Sequence, residues 1–450
     1  MAPTPTLEKD SQNFGAARLA SGLPCDGADR DRHDNNNVES IMLKTLFNSL
    51  AASVVVLASV ASAAEPAPVR MALIDPLNGP MAMVGQPALA QLKFTAERLN
   101  QEGGMAGHKI EIIGLDNKIN PQESLVQLQK AIDDGVRFII QGNGSSVGSA
   151  LLNGINKHNQ RNPEDRVLYL NYAAVDPAFT NERCSFWHFR FDAHSDMKMN
   201  LMTDWIASHK EFKKVFLINQ DYSFGHAVAD GAIKMLKEKR PDIEIVGNVF
   251  HPLGKVKDFS PYISKIRAAD ADVVITGNWG QDINLLIKAA ADYGVDVPFL
   301  TYYGSTPGTI TQVGKKGVDR VYLMSELHGD FTDPVLAERE VALYKQTGWD
   351  YYPRVAGMLE MVKLAGDKAN SIEPFKVAMA LEGLSFEGPG GKTTMRAEDH
   401  QIQMPMYMSV LKDGMKYGAE GTDFNFHEVA GYKAEETTLP AECRMRRPKQ

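Results

Sequence analysis

The sequence contains little cysteine, with three residues of this type, Cys25, Cys184 and Cys443, among 450 positions. They are too few and too widely spaced for a structural zinc site or a disulfide-dense scaffold. The chain also lacks an excess of positive charge, because 48 Lys and Arg residues face 56 Asp and Glu residues. The resulting formal net charge of −8 gives no general attraction to nucleic acid. We therefore expect no nucleic-acid partner.

Catalytic and metal-binding patterns are also missing. The sequence shows no Ser/His/Asp, Cys/His or His-rich constellation of the kind that catalysis requires. The stretch 188–196 alternates His, Arg and Asp, which is compatible with a metal site, but nothing nearby completes a ligand set. We favour a structural role for this stretch, and we predict a protein that is not an enzyme and needs no cofactor or metal.

A short apolar run lies near the beginning, at about 46–60, after the short positive region Met42–Lys44 and before a small-residue Ala-Ser-Ala sequence. This arrangement is typical of a cleaved signal peptide. Its length of about 15 residues is below the roughly 20 that span a bilayer, which disfavours the alternative of a transmembrane anchor. We predict a signal peptide over 42–63, a start at Met42, and an upstream extension over 1–41 that is not part of the fold.

From residue 69 onward, apolar runs of strand length alternate with stretches of helical periodicity. Strands are predicted over residues 69–74, 108–115, 136–141, 167–171, 215–219, 243–250, 273–277 and 298–301. Helices are predicted over residues 85–99, 124–132, 149–159, 227–239, 259–269 and 282–293. This order predicts an α/β fold with two successive parallel sheets. Ligands of such sheets bind beyond the carboxyl ends of the strands.

The loop after the third predicted strand is rich in glycine and serine. It reads Gly-Asn-Gly-Ser-Ser-Val-Gly over residues 142–148 and opens a predicted helix. Its backbone N–H groups and the hydroxyls of Ser145 and Ser146 can converge on an anion such as a carboxylate. The glycine spacing is not that of a dinucleotide-binding fingerprint. We predict an anion site here, with a plain glycine turn as the alternative.

Other loops at strand ends carry small or aromatic residues. The loop 171–177 is built of small residues around Ala173 and Val175, with a plain helix start as its alternative interpretation. Three loops of the second sheet carry aromatic residues: Tyr222 and Phe224 in 220–225, Trp279 beside Asn278 in 277–281, and Tyr302 and Tyr303 in 301–305. Aromatic rings at loop tips favour contact with a ligand.

These motifs resemble the leucine-binding type of periplasmic solute-binding protein, which serves ATP-binding-cassette (ABC) importers. The resemblance spans nearly all of the chain after residue 64. It rests on Pro76–Pro80 with Gly85, Glu102–Gly107, Asp116 with Asn120–Pro121, Ser145–Ser146, Ala173–Ala174 with Pro177, Asp221–Gly225, Lys257–Phe259 and Gly388–Lys392.

The resemblance implies a type I periplasmic binding protein, in which two Rossmann-like lobes with parallel sheets are joined by three hinge crossovers. Such lobes close on a ligand in the cleft between them. We expect lobe 1 to contain residues 64–190 and 325–392, and lobe 2 to contain residues 191–324 and 393–450.

The resemblance also implies roles for individual residues. Members that bind amino acids hold the α-carboxylate with a serine and backbone amides, and Ser146 and the Ala173 amide match these roles, with Ser145 beside them. They hold the α-ammonium group with a hydroxyl and an acidic side chain, and here those positions are Val175 and Tyr303. A buried ammonium group without an acceptor is unfavourable by several kcal/mol.

We therefore favour a carboxylate ligand with an aromatic or apolar body, such as a benzoate-type acid. Asp176, Asp221 or Asp282 could supply the missing negative charge, so a branched-chain or other amino acid is the alternative ligand. The predicted ligand-binding residues are Ser145, Ser146, Ala173, Val175, Tyr222, Phe224, Asn278, Trp279 and Tyr303.

The resemblance further implies a monomer in the periplasm that delivers its ligand to an inner-membrane ABC permease. In that oxidising compartment Cys184 and Cys443 can form a disulfide, with two free thiols as the alternative. A ligand-sensing module of the same fold, or an exported enzyme, are competing functions. The first would be favoured by a fused signalling domain and the second by a catalytic constellation, and the sequence contains neither.

Overall fold

A computed structural model of the chain describes residues 65–388 and 391–448. The predicted signal peptide at 42–63 and the upstream extension at 1–41 lie outside the described residues. No helix within the described ranges combines the length and the apolar character needed to cross a membrane.

The first sheet has five parallel strands in the order β2-β1-β3-β4-β5. These are β1 (Val69–Asp75), β2 (Ile110–Asp116), β3 (Phe138–Gln141), β4 (Leu168–Asn171) and β5 (His188–Arg190). The connecting helices are α1 (Ala82–Gln101), α2 (Pro121–Asp133) and α3 (Ser145–Arg161). The central strands are apolar throughout and fully buried, as expected for a parallel sheet covered on both faces.

The second sheet begins with α4 (Ser195–Ser208), which leads into five parallel strands. The strands are β6 (Lys214–Gln220), β7 (Glu244–His251), β8 (Val273–Thr276), β9 (Phe299–Thr301) and β10 (Val321–Ser325). The helices between them are α5 (Ser223–Lys239), α6 (Ser260–Ala268), α7 (Gln281–Asp292) and the short α8 (Thr309–Val313).

The chain then returns to the first group of elements. It forms α9 (Pro334–Thr347), α10 (Pro353–Ala369), α11 (Pro374–Leu381) and a small sheet of β11 (Ser385–Gly388), β12 (Gly391–Met395) and β13 (Ile402–Gln403). Helix α10 packs against α1, and Gln91 exchanges two hydrogen bonds with the Tyr352 backbone at 2.8 and 3.0 Å. These elements therefore belong to lobe 1.

The last strands complete the second sheet. β14 (Met406–Lys412) pairs antiparallel with β10, and β15 (Asn425–Tyr432) pairs antiparallel with β14. The full order is β15-β14-β10-β9-β8-β6-β7. The short helix α12 (Ala434–Thr437) follows and packs against α4 and β13.

The chain thus passes between the two lobes three times, after β5, after β10 and after β13. The predicted α/β fold with two parallel sheets in two lobes is confirmed. The expected lobe 2 segment 393–450 needs correction, because β12 and β13 pair with β11 and only β14 joins the second sheet. Gly388 and Gly391 of the motif at 388–392 pair with each other in β11 and β12, so the chain remains in lobe 1 until residue 403.

Several helices begin earlier than the apolar pattern predicts. Helix α3 begins at Ser145 instead of 149, and α5 begins at Ser223 instead of 227. Their first turns contain small residues that carry no apolar periodicity. A Cβ atom on Gly225 would lie 1.8 Å from the Gln220 carbonyl oxygen, so this helix can approach the end of β6 only because residue 225 is glycine. Helix α2 is capped by Asn120, whose side chain accepts from the amides of residues 122 and 123.

A disulfide attaches the C-terminal tail to lobe 1. Cys184 and Cys443 are bonded with their Cα atoms 5.7 Å apart. Because the tail leaves lobe 2 at β15, this bond is a covalent connection between the lobes in addition to the three crossovers. Arg447 extends the attachment, with a 2.8 Å ion pair to Glu382.

We predict that the paired substitution Cys184→Ser and Cys443→Ser lowers the free energy of unfolding by about 2–5 kcal/mol, because the bond restricts the unfolded chain over a long loop. Urea unfolding of the oxidised wild type and the variant measures this difference. Dithiothreitol should lower the midpoint of the wild type and leave that of the variant unchanged. Equal midpoints for oxidised wild type and variant would contradict the prediction.

Candidate functional site

A cavity lies between the two lobes, and small-molecule sites form preferentially at such interfaces between domains. Lobe 1 contributes the loops after β3 and β4, part of α1 and the beginning of α10. Lobe 2 contributes the loops after β6, β8 and β9. The cavity therefore forms where the carboxyl ends of the parallel strands in both sheets meet.

The beginning of α3 gives the lobe 1 wall its attraction for anions. Gly144 has φ 91° and precedes Ser145, the first residue of the helix. The amides of residues 145–147 donate to no described residue, as is usual for a first helical turn. The Ser145 hydroxyl is also without a partner among the described residues, although Ser145 is only 2% exposed. The free donors and the helix dipole favour a negatively charged group here.

A buried carboxyl group fixes the loop that leads to Ser145. Asp75 accepts from the Asn143 backbone and side-chain nitrogens at 3.0 and 3.1 Å and from the Tyr172 hydroxyl. Burial raises the pKa of Asp75 to about 7, against the opposite effect of these hydrogen bonds. The Tyr172 ring packs on Gly142, where a Cβ atom would lie 2.6 Å from it. Asp75 thus orients two cavity residues without lining the cavity.

Four aromatic side chains form the lobe 2 wall: Tyr222, Phe224, Trp279 and Tyr303. The Trp279 indole N–H donates to the Tyr222 hydroxyl at 2.7 Å, and the Phe224 and Tyr303 ring centres are 6.0 Å apart. Phe224 is 1% and Trp279 is 5% exposed. Although Phe224 and Trp279 follow strands at loop tips, both are buried. They present flat apolar surfaces to the cavity.

Arg354, in the first turn of α10, is the cation of the cavity wall. Its Nη1 atom lies 2.6 Å from Glu326 Oε1, and its Nε atom lies 3.9 Å from Asp192 Oδ2. Lys198, which is 1% exposed, pairs with Asp192 at 2.8 Å. Burial opposes ionisation of Arg354, but Glu326 and Asp192 outweigh it and raise the Arg354 pKa. Two cations and two anions are therefore buried together where the crossovers meet.

The sequence analysis missed Arg354. A cation in the first turn of a helix opposes the helix dipole, and Arg354 directly follows the proline that begins α10. An arginine directly after the proline that begins a helix was therefore the feature of the sequence that could have identified Arg354 as a candidate site residue. Its partners Asp192 and Glu326 follow β5 and β10, which are far from Arg354 in sequence.

The structure brings most of the predicted ligand-binding residues together. Those that line the cavity are Ser145, Ala173, Val175, Tyr222, Phe224, Trp279 and Tyr303. The Ala173 amide, expected to bind a carboxylate, donates to Asn171 Oδ1 at 3.2 Å, and its carbonyl lies 3.5 Å from the Tyr303 hydroxyl.

Two predicted residues do not line the cavity. Ser146 is exposed and faces a separate groove beside Asp221 and Lys255, because successive residues of a helix point in different directions. Asn278 is fully buried within lobe 2, where its Nδ2 atom lies 2.8 Å from His251 Nε2.

The three acids considered as alternative ammonium partners are used elsewhere. Asp176 accepts from the Ala178 amide at 3.1 Å, exposed Asp221 pairs with His226 at 2.8 Å, and buried Asp282 accepts from the Gly254 amide at 2.7 Å. None of them lines the cavity, and no other Asp or Glu among the described residues does so. The described ranges also contain no cluster of three metal-ligating side chains.

Comparisons with known proteins agree with this architecture. The family model described as "Periplasmic binding protein" matches residues 68–416. The "Leu/Ile/Val-binding protein homolog 4" of Brucella melitensis is 31% identical over 404 residues, covering 86% of this chain and 95% of the relative.

Two solved structures are similar to this chain. The leucine-, isoleucine-, valine-, threonine- and alanine-binding protein of Brucella ovis, in a closed conformation, has a TM-score of 0.75 and 30% identity, over 85% of this chain and all of that one. An ABC transporter solute-binding protein of Rhodopseudomonas palustris BisB5, in complex with 3,4-dihydroxybenzoic acid, has a TM-score of 0.70 and 21% identity, over 82% of this chain and 98% of that one. The chain belongs to the periplasmic binding protein family and is a solute-binding protein of the branched-chain amino acid type that serves ABC transporters.

Proposed function

We propose that this protein captures a small carboxylate with an aromatic or apolar body in the cavity between its lobes. It works as a monomer in the periplasm, after removal of its signal peptide, and delivers the ligand to an inner-membrane ABC permease. The observation that carries the proposal is the composition of the wall, which combines a free helix N-terminus with six aromatic rings, four of them from lobe 2, and contains no Asp or Glu among the described residues.

The carboxylate binds at the beginning of α3. The free amides of residues 145–147 and the buried Ser145 hydroxyl supply donors without a formal positive charge. A carboxylate that leaves water needs such donors, because an unpaired buried charge is strongly unfavourable. The hydrogen bonds from Asn143 and Tyr172 to Asp75 hold this loop in position before the ligand arrives.

The wall offers little to an α-ammonium group. Val175 and Tyr303 stand where amino-acid-binding members place a hydroxyl and an acid, and Arg354 lies in the same wall. The α-ammonium group of an amino-acid ligand would then have to bind to neutral oxygen atoms such as the Ala173 carbonyl. That arrangement favours ligands without an amino group.

The body of the ligand packs between Trp279, Phe224 and Tyr303. Offset or edge-to-face contact with aromatic rings contributes about 0.5–1.5 kcal/mol beyond the burial of apolar area. The same fold holds 3,4-dihydroxybenzoic acid in the Rhodopseudomonas palustris BisB5 protein and benzoate in a second protein from that genus. An aromatic acid is therefore compatible with this architecture.

A branched-chain amino acid is the second candidate ligand. It is favoured by the names of the Brucella relatives at 30–31% identity. It requires an ammonium acceptor in the wall, which the neutral Tyr222 and Tyr303 hydroxyls and backbone carbonyls would have to supply. The two candidates therefore differ in the group opposite the carboxylate.

We predict that benzoate and 4-hydroxybenzoate raise the melting temperature of the refolded, ligand-free protein, whereas leucine and valine do not. A ligand at 100 times its dissociation constant adds about 2.7 kcal/mol to the free energy of unfolding. Differential scanning fluorimetry measures the shift, and benzyl alcohol, which lacks the carboxylate, is the control ligand. A shift with leucine and valine alone would replace this proposal with the amino-acid function.

We predict that Trp279→Ala weakens binding of 4-hydroxybenzoate by about 1–3 kcal/mol, because the substitution removes one aromatic wall. Isothermal titration calorimetry measures the loss. The matched control is Trp349→Ala, since Trp349 is half-buried in the loop between α9 and α10 and does not line the cavity. Equal affinity of the Trp279→Ala variant and the wild type would remove Trp279 from the site.

A further inference from the structure

Arg354 has hydrogen-bond donors that the protein does not use. Its Nη1 atom donates to Glu326, but its Nε atom is buried without a hydrogen-bond partner, and no described residue accepts a hydrogen bond from Nη2. An arginine carries five N–H donors and no acceptor. The side chain is 12% exposed and lines the cavity. The Nε atom lies 3.9 Å from Asp192 Oδ2, so the donors that remain for a ligand atom in the cavity are those of Nη2.

The charge of Arg354 is already balanced. Glu326 and Asp192 provide two negative charges, and Arg354 and Lys198 provide two positive ones. These groups are almost fully buried, with side-chain exposures between 0 and 12%. A second carboxylate on the ligand would place three anions against two cations away from water, which is costly. A neutral acceptor uses the free donors and leaves the balance intact.

Arg354 also lies at a distance from the carboxylate site. Its partner Asp192 follows β5, whereas Ser145 follows β3, and β4 lies between these strands. Neighbouring strands are about 4.8 Å apart, so about 10 Å separates the two strand ends. The Tyr303 ring lies between the two regions, 5.4 Å from Lys198 Nζ and with its hydroxyl 3.5 Å from the Ala173 carbonyl. A ring that carries polar groups on opposite sides spans such a distance.

We infer that the ligand is a hydroxylated aromatic acid, whose ring hydroxyl accepts a hydrogen bond from Arg354 while its carboxylate binds at the beginning of α3. The inference rests on the proposed function and adds the second polar group of the ligand. Arg354 is then the residue that determines specificity between hydroxylated and unsubstituted aromatic acids.

The ligand series tests the inference on the wild-type protein. Calorimetry compares 4-hydroxybenzoate, 4-methylbenzoate, benzoate and benzene-1,4-dicarboxylate, where the methyl compound has the shape of the hydroxyl compound without its hydrogen bond. We expect 4-hydroxybenzoate to bind at least tenfold more tightly than each of the others. Equal affinities for the hydroxyl and methyl compounds, or tightest binding of the dicarboxylate, would overturn the inference and leave the proposed carboxylate site intact. Binding of none of the four would refute the proposed function itself.

A charge-balanced variant assigns the preference to Arg354. The double substitution Arg354→Met and Glu326→Gln removes the guanidinium without leaving Glu326 unpaired, and Glu326→Gln alone is its control. The measured quantity is the ratio of dissociation constants for 4-methylbenzoate and 4-hydroxybenzoate, which a general structural defect does not change. We expect the double variant to lower this ratio to below two and the control to keep it above five. An unchanged ratio in the double variant would overturn the role of Arg354.

Arg354→Lys is a second test that keeps the positive charge and needs no change at Glu326. A lysine ammonium is a point charge without the planar donors of arginine. We expect the ratio of the dissociation constants for 4-methylbenzoate and 4-hydroxybenzoate to fall at least threefold. Melting temperature and circular dichroism report whether the variant is folded. A ratio equal to that of the wild type would contradict the inference.

Discussion

Two buried ion pairs at the crossovers hold the cavity in the form described here. Arg354 on lobe 1 pairs with Glu326, which directly follows β10, and Lys198 on α4 of lobe 2 pairs with Asp192, which follows β5. Removing one partner of a buried pair typically costs about 3–5 kcal/mol, because the other charge is left uncompensated. The pairs therefore connect both lobes to the crossover segments, beside the cavity.

The rest of the site follows from the closeness of the lobes that this arrangement permits. Phe224 packs on Tyr302 and Tyr303 of its own lobe, Trp279 donates to Tyr222, and both rings are almost fully buried where they line the cavity. Ser145, the first residue of α3, lines the same cavity, and its amide and hydroxyl donate to no described residue. One lobe thus presents a helix N-terminus with free donors and the other an aromatic surface, and the proposed ligand site needs both. This division is the physical basis for capture by closure in a two-lobed protein.

Much of the fold could be predicted because parallel strands are continuous apolar runs separated by helical periodicity. All eight predicted strands and their helices appear in the structure. The loops after five of these strands line the cavity. The order of the residues alone could not give the direction of each side chain, which is why Ser146 and Asn278 point away from the cavity. Arg354 was missed because its place in the site depends on contacts with Glu326 and Asp192. These residues are distant in sequence and lie near Arg354 only in the folded chain, at the crossovers. The placement of β12 and β13 in lobe 1 likewise depends on strand pairing, which the glycine motif at 388–392 does not reveal.

The Cys184–Cys443 bond imposes an order on the maturation of the chain. Cys184 precedes α4, whereas Cys443 follows β15, the last strand of the second sheet. During synthesis every strand of both lobes is made before Cys443 becomes available. Formation of this bond therefore cannot precede the synthesis of any strand of either lobe. A nascent chain in which Cys184 reacted earlier with another thiol would have to exchange that partner before reaching the native pairing.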